Sequence, residues 1–582
     1  MTAQLIRRDD IDFLLHDWLR ADKLVDRDTI DAILDLSEKL ASEAFLTHYK
    51  RSDVEEPAFE DGEVRICPAI GDALAQYAEL GLFSAGFPEE QGGLGLPYLV
   101  CMASFAYFAA ANVATAAYPM LTVANARLIA AFGTEAQIDT FARPEIDGRW
   151  FGTMCLSEPQ AGSSLADVRT RAVLDGRDAL GERYRLTGNK MWISGGDHDA
   201  SENIVHLVLA KVPREDGTLP EGTAGISLFI VPKIFPDGAR NDVTVAGINH
   251  KMGYRGTTNC LLNFGENGGA LGWIVGKPGD GLRQMFQMMN EARIGVGTGA
   301  AAMGYRSYLL SATYARERLQ GRPAGRRSGN AVAIIEHPDV RRMLLQQKCY
   351  VEGALALCLY CARLVDTAED CAEDAALLGL LTPVAKTWSS EHGLAANDIA
   401  IQIHGGYGYT RDFDVEQLWR DNRLNPIHEG TTGIQAIDLV GRKILRDGAG
   451  LLVLEVKILE TAEMARDIPG LAEFANTLSA TWRTATETIQ VLRRREANAA
   501  LDNATPFLRA FGHVVTAWLW LDQVVAAYTL RRTAPANTKL AKGKHHACRF
   551  FFEWELPRVG PMLTFIASKG DVAATAPAGI FG

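Results

Sequence analysis

The sequence predicts a multidomain α+β protein, mostly helical, with a β domain set between helical regions. Three observations predict it. Residues up to about 150 carry apolar side chains at helical spacing. Between about 151 and 275 the texture changes to short, apolar, β-branched runs flanked by Gly, Pro and Asp. From about 276 long helix-like segments return and continue past 448. A chain of 582 residues is too long for one hydrophobic core. The changes in texture divide it into a helical domain over 1–150, a β domain over 151–275, a helical bundle over 276–447 and a further helical domain over 448–582.

The elements follow in order. Thr29 to Ala44 and Ile70 to Leu80 read as amphipathic helices. The Gly- and Pro-dense stretch Gly86 to Gly95 reads as a tight loop, and the small residues of Ala103 to Ala117 as one closely packed helix. In the β domain, Val205 to Ala210 and Gly225 to Val231 read as strands, and Leu186 to Ser194 as a turn followed by a strand. Met285 to Arg316, Pro338 to Leu364 and Thr382 to Ile403 read as long helices, the first two joined by the basic loop Gly321 to Asn330. Helices resume from Leu451 to about Thr533, ahead of a less regular end. The most apolar of them, Val514 to Leu530, is interrupted by Asp522 and Gln523 and reads as a buried helix, not a membrane span.

Composition narrows the function. A formal net charge of -12 and a pI near 5.6 argue against broad nucleic-acid binding. The local basic clusters, Arg493 to Arg495 and Lys539 to Lys544, read as solvated helix faces. Nine widely spaced cysteines form no disulfide framework, which suits a reducing compartment, and the first ten residues lack a signal-peptide core. The expected location is the cytoplasm. Cys358 and Cys361 form a CxxC inside a helical run with no second pair, and His545, His546 and Cys548 are equally isolated, so no metal site is predicted. No GxGxxG follows a strand, and no Walker loop, HExxH or GxSxG occurs.

Chemistry concentrates in Pro426-Ile427-His428-Glu429-Gly430-Thr431-Thr432-Gly433-Ile434-Gln435, which leads into the apolar run Ile434 to Leu445. A carboxylate at such a loop-to-helix junction can be aimed into an apolar pocket, where burial raises its pKa and makes it a better base near neutral pH. The local sequence also allows a solvent-exposed carboxylate ahead of a helix. Other polar loops accompany it. Leu156-Ser157-Glu158-Pro159-Gln160-Ala161-Gly162-Ser163-Ser164 packs hydroxyls and small residues into one turn whose N–H groups can meet an anion or a polar ring edge. Trp192-Ile193-Ser194 offers a flat aromatic face beside a hydroxyl, or a core residue. Gln402-Ile403-His404-Gly405-Gly406-Tyr407-Gly408 lets a backbone approach a phosphate, or caps a helix.

These segments, with Pro88 to Gly95, Gly188-Asn189-Lys190-Met191-Trp192 and Lys251-Met252-Gly253, resemble the acyl-CoA dehydrogenase family of flavoproteins in the same order over roughly 30–445. The block beyond 450 and Glu336 to Arg342 resemble its large, two-lobed branch. The resemblance implies an N-terminal helical domain, a middle β-barrel-like domain and a four-helix bundle, followed by an additional C-terminal helical domain. It implies FAD as cofactor, an acyl-CoA substrate, α,β-dehydrogenation and an electron-transfer flavoprotein as acceptor. A homodimer is the implied assembly, with no nucleic-acid or membrane partner.

By the same resemblance Glu429 is the base, and its backbone N–H, with a flavin hydroxyl, polarises the thioester. Met154, Leu156, Ser157, Gly162 and Ser163 meet the flavin ring and its hydroxyls, and Trp192 and Ser194 flank the ring. Arg318 meets the pyrophosphate, Gln402, Gly405 and Gly406 the adenosine part across the dimer, and Thr431 the FAD. Ser163, Arg293, Glu429 and Gly430 form the substrate side, with Arg293 near the CoA moiety. Three departures stand out. His428 replaces the usual Tyr before the base and could alter its pKa. Ser164 stands where many relatives have Asp, and Gly433 where Gln is frequent. Two alternatives share the fold: a DNA-associated flavoprotein, suggested by the basic clusters, and a flavin oxidase or monooxygenase.

Overall fold

The computed structural model describes residues 4–323, 325–326, 328–533, 538–568 and 570–582, without side chains at 286–288 and 530–538. The expected loop Gly321 to Asn330 lies outside the described residues at 324 and 327. The chain forms two compact units. One contains Ile33–Pro97 and Tyr107–Ala292; the other contains the residues up to Ala32, Tyr98–Ala106 and Arg293–Gly582.

The first unit carries the strands. Two short ones, β1 (Ala58–Glu60) and β2 (Glu63–Arg65), pair around Asp61-Gly62 within the region expected to be wholly helical. Both turn residues have positive φ, which Asp and Gly tolerate best. The main sheet comprises β3 (Trp150–Cys155), β4 (Arg171–Asp178), β5 (Gly181–Ser194), β6 (Asn203–Lys211), β7 (Ile226–Pro232), β8 (Val243–Ile248), β9 (Asn259–Phe264) and β10 (Ala270–Ile274). Its order is β10-β7-β6-β4-β5-β9-β8, with β3 parallel to β6. A further β10–β5 pairing closes β10, β7, β6, β4 and β5 into a ring. Every residue of β6 and β7 is buried, which explains why both faces are apolar apart from Asn203, His206, Lys211 and Ser227. One set of side chains, including Leu186, Val208, Phe229 and Leu262, packs in one cluster. The alternate set, including Val205, Leu207, Leu228 and Ile230, packs against Ile129 and Phe141.

Two expectations change here. Leu186 to Ser194 is not a turn and a strand but the end of the 14-residue β5. The Gly188 that suggested the turn sits at φ 159 in extended chain, where a Cβ would run into Thr170. The helix expected at Ala103 to Ala117 spans Tyr98–Phe132 and breaks at Asn112, whose φ and ψ are -160 and 92. Asn112 is buried and donates to Ser52 Oγ at 3.2 Å, while its Oδ1 accepts from Thr115 N at 3.3 Å. Side-chain bonds replace the helical ones that the break removes. Among the described residues this is the one helix long and apolar enough to cross a membrane, and 89% of its most apolar window is buried.

The second unit is helical. Gly281–Glu317, which continues into it from Arg293, Pro338–Val365 and Ala372–His404 run through the bundle, and Thr432–Ile437 continues into a wider π-type turn over Asp438–Asp447. Helices 281–317 and 372–404 approach backbone to backbone, since a Cβ on Gly393 would collide with the Ala300 carbonyl. Beyond them Ala449–Arg466, Ala472–Arg493, Ala504–Thr533, Thr538–Phe550 and Val559–Ala567 form the C-terminal block. Trp518 is buried there and donates to Thr461 Oγ1 at 3.0 Å.

The basic clusters are solvated only in part: Arg493, Arg494, Lys539 and Lys542 are exposed as expected, while several of the side chains serve packing. Arg493 donates to the Ile444 carbonyl, and Arg495 to the carbonyls of Ile566 and Ala567. Lys544 is fully buried, its Nζ 2.5 Å from Asp10 Oδ1 and 3.3 Å from Glu352 Oε2. Tyr305 Oη donates to Asp10 Oδ2 at 2.9 Å, and Lys348 also pairs with Glu352. One charge cluster thus joins the N-terminal segment, two bundle helices and the C-terminal block. Lys544→Met should destabilise this unit by about 3–5 kcal/mol, because it leaves two buried carboxylates short of a counter-charge. The midpoint of urea unfolding checks it.

Candidate active site

Glu429 is half-buried at φ 51, a left-handed conformation unusual for Glu, and Gly430 follows at φ 87. Surrounding groups hold this turn. Gln435 Nε2 donates to the Glu429 carbonyl at 3.0 Å, Lys386 Nζ to the Gly430 carbonyl at 2.7 Å, and Thr432 N to the Pro426 carbonyl at 3.2 Å. Gln435 and Lys386 are both fully buried. Thr431 caps the next helix, its Oγ1 accepting from Ile434 N at 3.4 Å. The strained backbone is over-determined, as at sites where a side chain must be aimed. Burial pushes the Glu429 carboxyl above the usual carboxylate range, against the opposing pull of Lys386 and Arg293.

His428 does not tune Glu429 by titrating. Burial, with Lys386 nearby, pushes its imidazole down to about 3, so it is neutral in the working range. Its Nε2 lies 2.9 Å from Asn425 Oδ1. Asn425 donates to Asn422 at 2.8 Å, Asn422 to Asn397 at 2.6 Å, and Asn397 to Ser307 Oγ at 2.6 Å. This buried amide ladder anchors the loop to two bundle helices. Arg293 is buried rather than superficial, and donates to Asp438 Oδ2 at 2.9 Å.

The same unit holds the residues expected to meet the pyrophosphate and adenosine. The Arg318 guanidinium lies 5.6 Å from the ring centre of Tyr407, and Arg318, Gln402, Gly405 and Gly406 are all exposed. Gly405 adopts φ 63 and ψ -136, and a Cβ at Gly405 or Gly406 would meet open space. The glycines therefore keep this backbone accessible, and at Gly405 also permit its conformation.

The residues expected to meet the flavin ring all lie in the sheet unit. Trp192 stands at φ 65 in a bulge where the β5–β9 register shifts between Lys190 and Ile193. The bulge turns the indole outward to 58% exposure. Ser194 follows on the same strand, its Oγ 3.4 Å from Asn259 Nδ2. Met154 and Leu156 are half-buried at the end of β3, and Ser157 is half-buried beside them, with Gly162 and Ser163 exposed in the loop that follows. Ser164 Oγ donates to Asp167 at 2.6 Å, a contact within the loop.

Glu158 and Lys190 fix this arrangement, and neither was assigned a role from sequence. They form an ion pair at 2.9 Å, with Lys190 fully buried and Glu158 3% exposed. Lys190 Nζ also donates to the Leu156 carbonyl at 3.0 Å, and Met191 N to the Ser157 carbonyl at 3.0 Å. Burial pushes the Glu158 carboxyl up, but Lys190, Thr170 and Arg169 hold it below its ordinary range overall. The available signal was a Glu and a Lys inside otherwise small or apolar motifs. Lys386 carried the same signal, a lone cation in the apolar run Thr382 to Trp388.

Known proteins match along most of the chain. Residues 32–149, 153–266 and 279–445 match the N-terminal, middle and C-terminal domains of acyl-CoA dehydrogenase, and 456–577 match the acetyl-CoA dehydrogenase C-terminal-like domain. The 3-methylmercaptopropionyl-CoA dehydrogenase of Ruegeria pomeroyi is 35% identical over 84% of this chain and 84% of its own length. The chain belongs to the acyl-CoA dehydrogenase family. A butyryl-CoA dehydrogenase of Syntrophomonas wolfei is another acyl-CoA dehydrogenase similar along nearly the whole chain, 31% identical over 94% of each. Solved structures extend the fold likeness. An acyl-CoA dehydrogenase complexed with FAD from Bacillus anthracis superposes with a TM-score of 0.74 over 99% of this chain and 93% of its own, at 23% identity.

Proposed function

We propose that this acyl-CoA dehydrogenase uses FAD to convert an acyl-CoA thioester into the trans-2-enoyl-CoA, with Glu429 as the α-proton base. The observation that carries the reading is the Glu429 carboxyl itself, raised by burial and held on a left-handed turn by buried partners. An α-proton beside a thioester is weakly acidic, and a desolvated carboxylate competes for it better than a solvated one. The α-proton goes to Glu429, the β-hydrogen leaves as hydride, and a double bond remains between the two carbons.

The residues fit the cofactor. Trp192 presents an exposed aromatic face on a backbone bent for that purpose, and the exposed Gly162-Ser163 loop is pinned by Glu158 and Lys190. Met154, Leu156, Ser157, Gly162, Ser163, Trp192 and Ser194 would hold the ring. Arg318, Gln402, Gly405 and Gly406 would hold the diphosphate and adenosine of a second subunit's FAD in a homodimer, and Thr431 would contact the FAD beside the base. FAD bound there would supply the two-electron acceptor for the β-hydride, at its N5. An electron-transfer flavoprotein is the proposed partner that reoxidises it. The Glu429 N–H is the proposed donor to the thioester oxygen as enolate charge develops. Arg293 backs the base from its pair with Asp438, and its side chain is not surface-exposed for a direct CoA contact. All nine cysteines are free thiols, which supports a reducing compartment such as the cytoplasm.

Anaerobic mixing with straight-chain, branched and thioether acyl-CoAs tests the reading. The thioether belongs in the panel because the Ruegeria pomeroyi relative is named for one. Flavin bleaching with at least one thioester is expected; no bleaching with any of them refutes the proposal.

A further inference from the structure

A buried ammonium beside the proposed base has no part in the reaction as written above. Lys386, midway along the helix Ala372–His404, is fully buried and donates to the Gly430 carbonyl at 2.7 Å. The ionisable groups facing it are Glu429 on the base loop, Arg293 on the neighbouring helix, Glu391 on its own helix and His428, which is neutral. Two of these charges are committed elsewhere. Glu391 is held by Nε and Nη2 of Arg509, at 2.9 and 2.8 Å, and Arg293 is paired with Asp438. Glu429 makes no ion pair among the described residues, and Lys386 is the stronger of the two cations acting on it, ahead of Arg293, which shares Asp438 with Arg442.

We propose that Lys386 is the positioning residue of the α-proton transfer: it fixes the base loop through the Gly430 carbonyl and supplies the charge that keeps Glu429 ionised. This rests on the reading of Glu429 as the base. The physical need is specific. A carboxylate desolvated with no cation nearby takes its proton from water and arrives at the substrate already neutral. A cation bonded directly to the carboxylate would instead occupy the oxygens that must reach the α-carbon. Lys386 avoids both outcomes by bonding to the carbonyl one residue on, leaving the carboxylate oxygens free while its field still acts on them.

The ammonium itself bears the cost. Burial pushes Lys386 down to about 8 from an ordinary 10.5, with Glu429 opposing and Arg293 adding to the shift. Below about 8 the folded protein carries a buried charge that the unfolded chain solvates. Between about 8 and 10.5 the unfolded chain binds a proton that the folded chain has released, so this group adds stability as pH rises.

The test is the pH dependence of kcat/KM in the FAD-loaded enzyme for wild type, Lys386→Gln, Lys386→Met and Lys386→Arg, beside Glu429→Gln. Gln keeps an N–H donor, one bond shorter than the ammonium, and removes the charge, so it remains informative if Met fails to fold. In Lys386→Gln the acid limb should move up by about one pH unit or more, while Lys386→Arg stays within about 0.3 units of wild type. On the alkaline plateau Lys386→Gln should recover to within about threefold of wild type, because the base is ionised there in both. A second readout needs no turnover: the melting temperature of wild type should rise relative to Lys386→Gln between about pH 8 and 10.5. A uniform rate loss with an unmoved acid limb overturns the proposal, and with Glu429→Gln inactive it does so without touching the base. Wild-type activity in Glu429→Gln instead removes the base reading, and this proposal with it.

Discussion

Glu429→Gln should give a folded protein that retains FAD and turns over acyl-CoA about 10⁴-fold more slowly. The amide matches the carboxylate in shape, so the packing that sets the turn is preserved. The contacts to the Glu429 and Gly430 carbonyls come from Gln435 and Lys386, which the substitution leaves in place. What disappears is the acceptor for the α-proton. Stopped-flow reduction of the bound flavin by excess acyl-CoA measures the loss, and the flavin-to-protein ratio shows that the cofactor is still held. Glu429→Asp should lie between the two, since it keeps the charge but withdraws it by one methylene.

The second large effect is structural in origin and functional in outcome. Lys190→Met should destabilise the sheet unit by about 3–5 kcal/mol, because Glu158 remains as a buried carboxylate without its cation. Thr170 and Arg169 still donate to it, at 2.6 to 3.0 Å, but carry no ammonium charge there. The Leu156 carbonyl loses its donor as well, so the loop carrying Ser157, Gly162 and Ser163 is released. The purified variant should contain clearly less FAD than wild type and unfold at lower urea. Adding Glu158→Gln should recover part of the stability, because the stranded charge goes with it. The folded Glu158 carboxyl lies below its ordinary range, so the pair's contribution is present at neutral pH and is lost in acid as Glu158 protonates. Wild-type flavin content in Lys190→Met would show that the pair does not position the loop.

The fold was largely legible in the sequence because its signals are local. Short apolar, β-branched runs bounded by turn residues mark β6 and β7, period-3.6 patterns mark the long helices, and the switch in texture marks the sheet region. The break at Asn112 was not legible. It depends on Ser52, some sixty residues away, to replace lost helical bonds, and nothing in Ala103 to Ala117 announces it. The hairpin at β1 and β2 is too short to show a pattern of its own, although Asp61-Gly62 is a turn signal.

The site divides in the same way. Glu429 was legible because the loop that carries it is compact and distinctive. Its left-handed backbone was not, because a positive φ at Glu follows from partners on other segments. The outward turn of Trp192 needs a register shift between β5 and β9, a property of strand pairing rather than of Trp192 itself. Lys386 showed in sequence only as a lone cation in an apolar helical run, and its contact with the Gly430 carbonyl appears only in the fold. His428 looked able to titrate beside the base until burial made it neutral.

The most direct test of the base uses an acyl-CoA whose β-carbon is replaced by sulfur, which can lose an α-proton but has no β-hydride to give. Incubated with the FAD-loaded enzyme in deuterium oxide, its α-hydrogens should exchange rapidly with wild type and remain in place with Glu429→Gln, followed by proton NMR. Exchange at the wild-type rate in Glu429→Gln would contradict the assignment of Glu429 as the group that takes the α-proton.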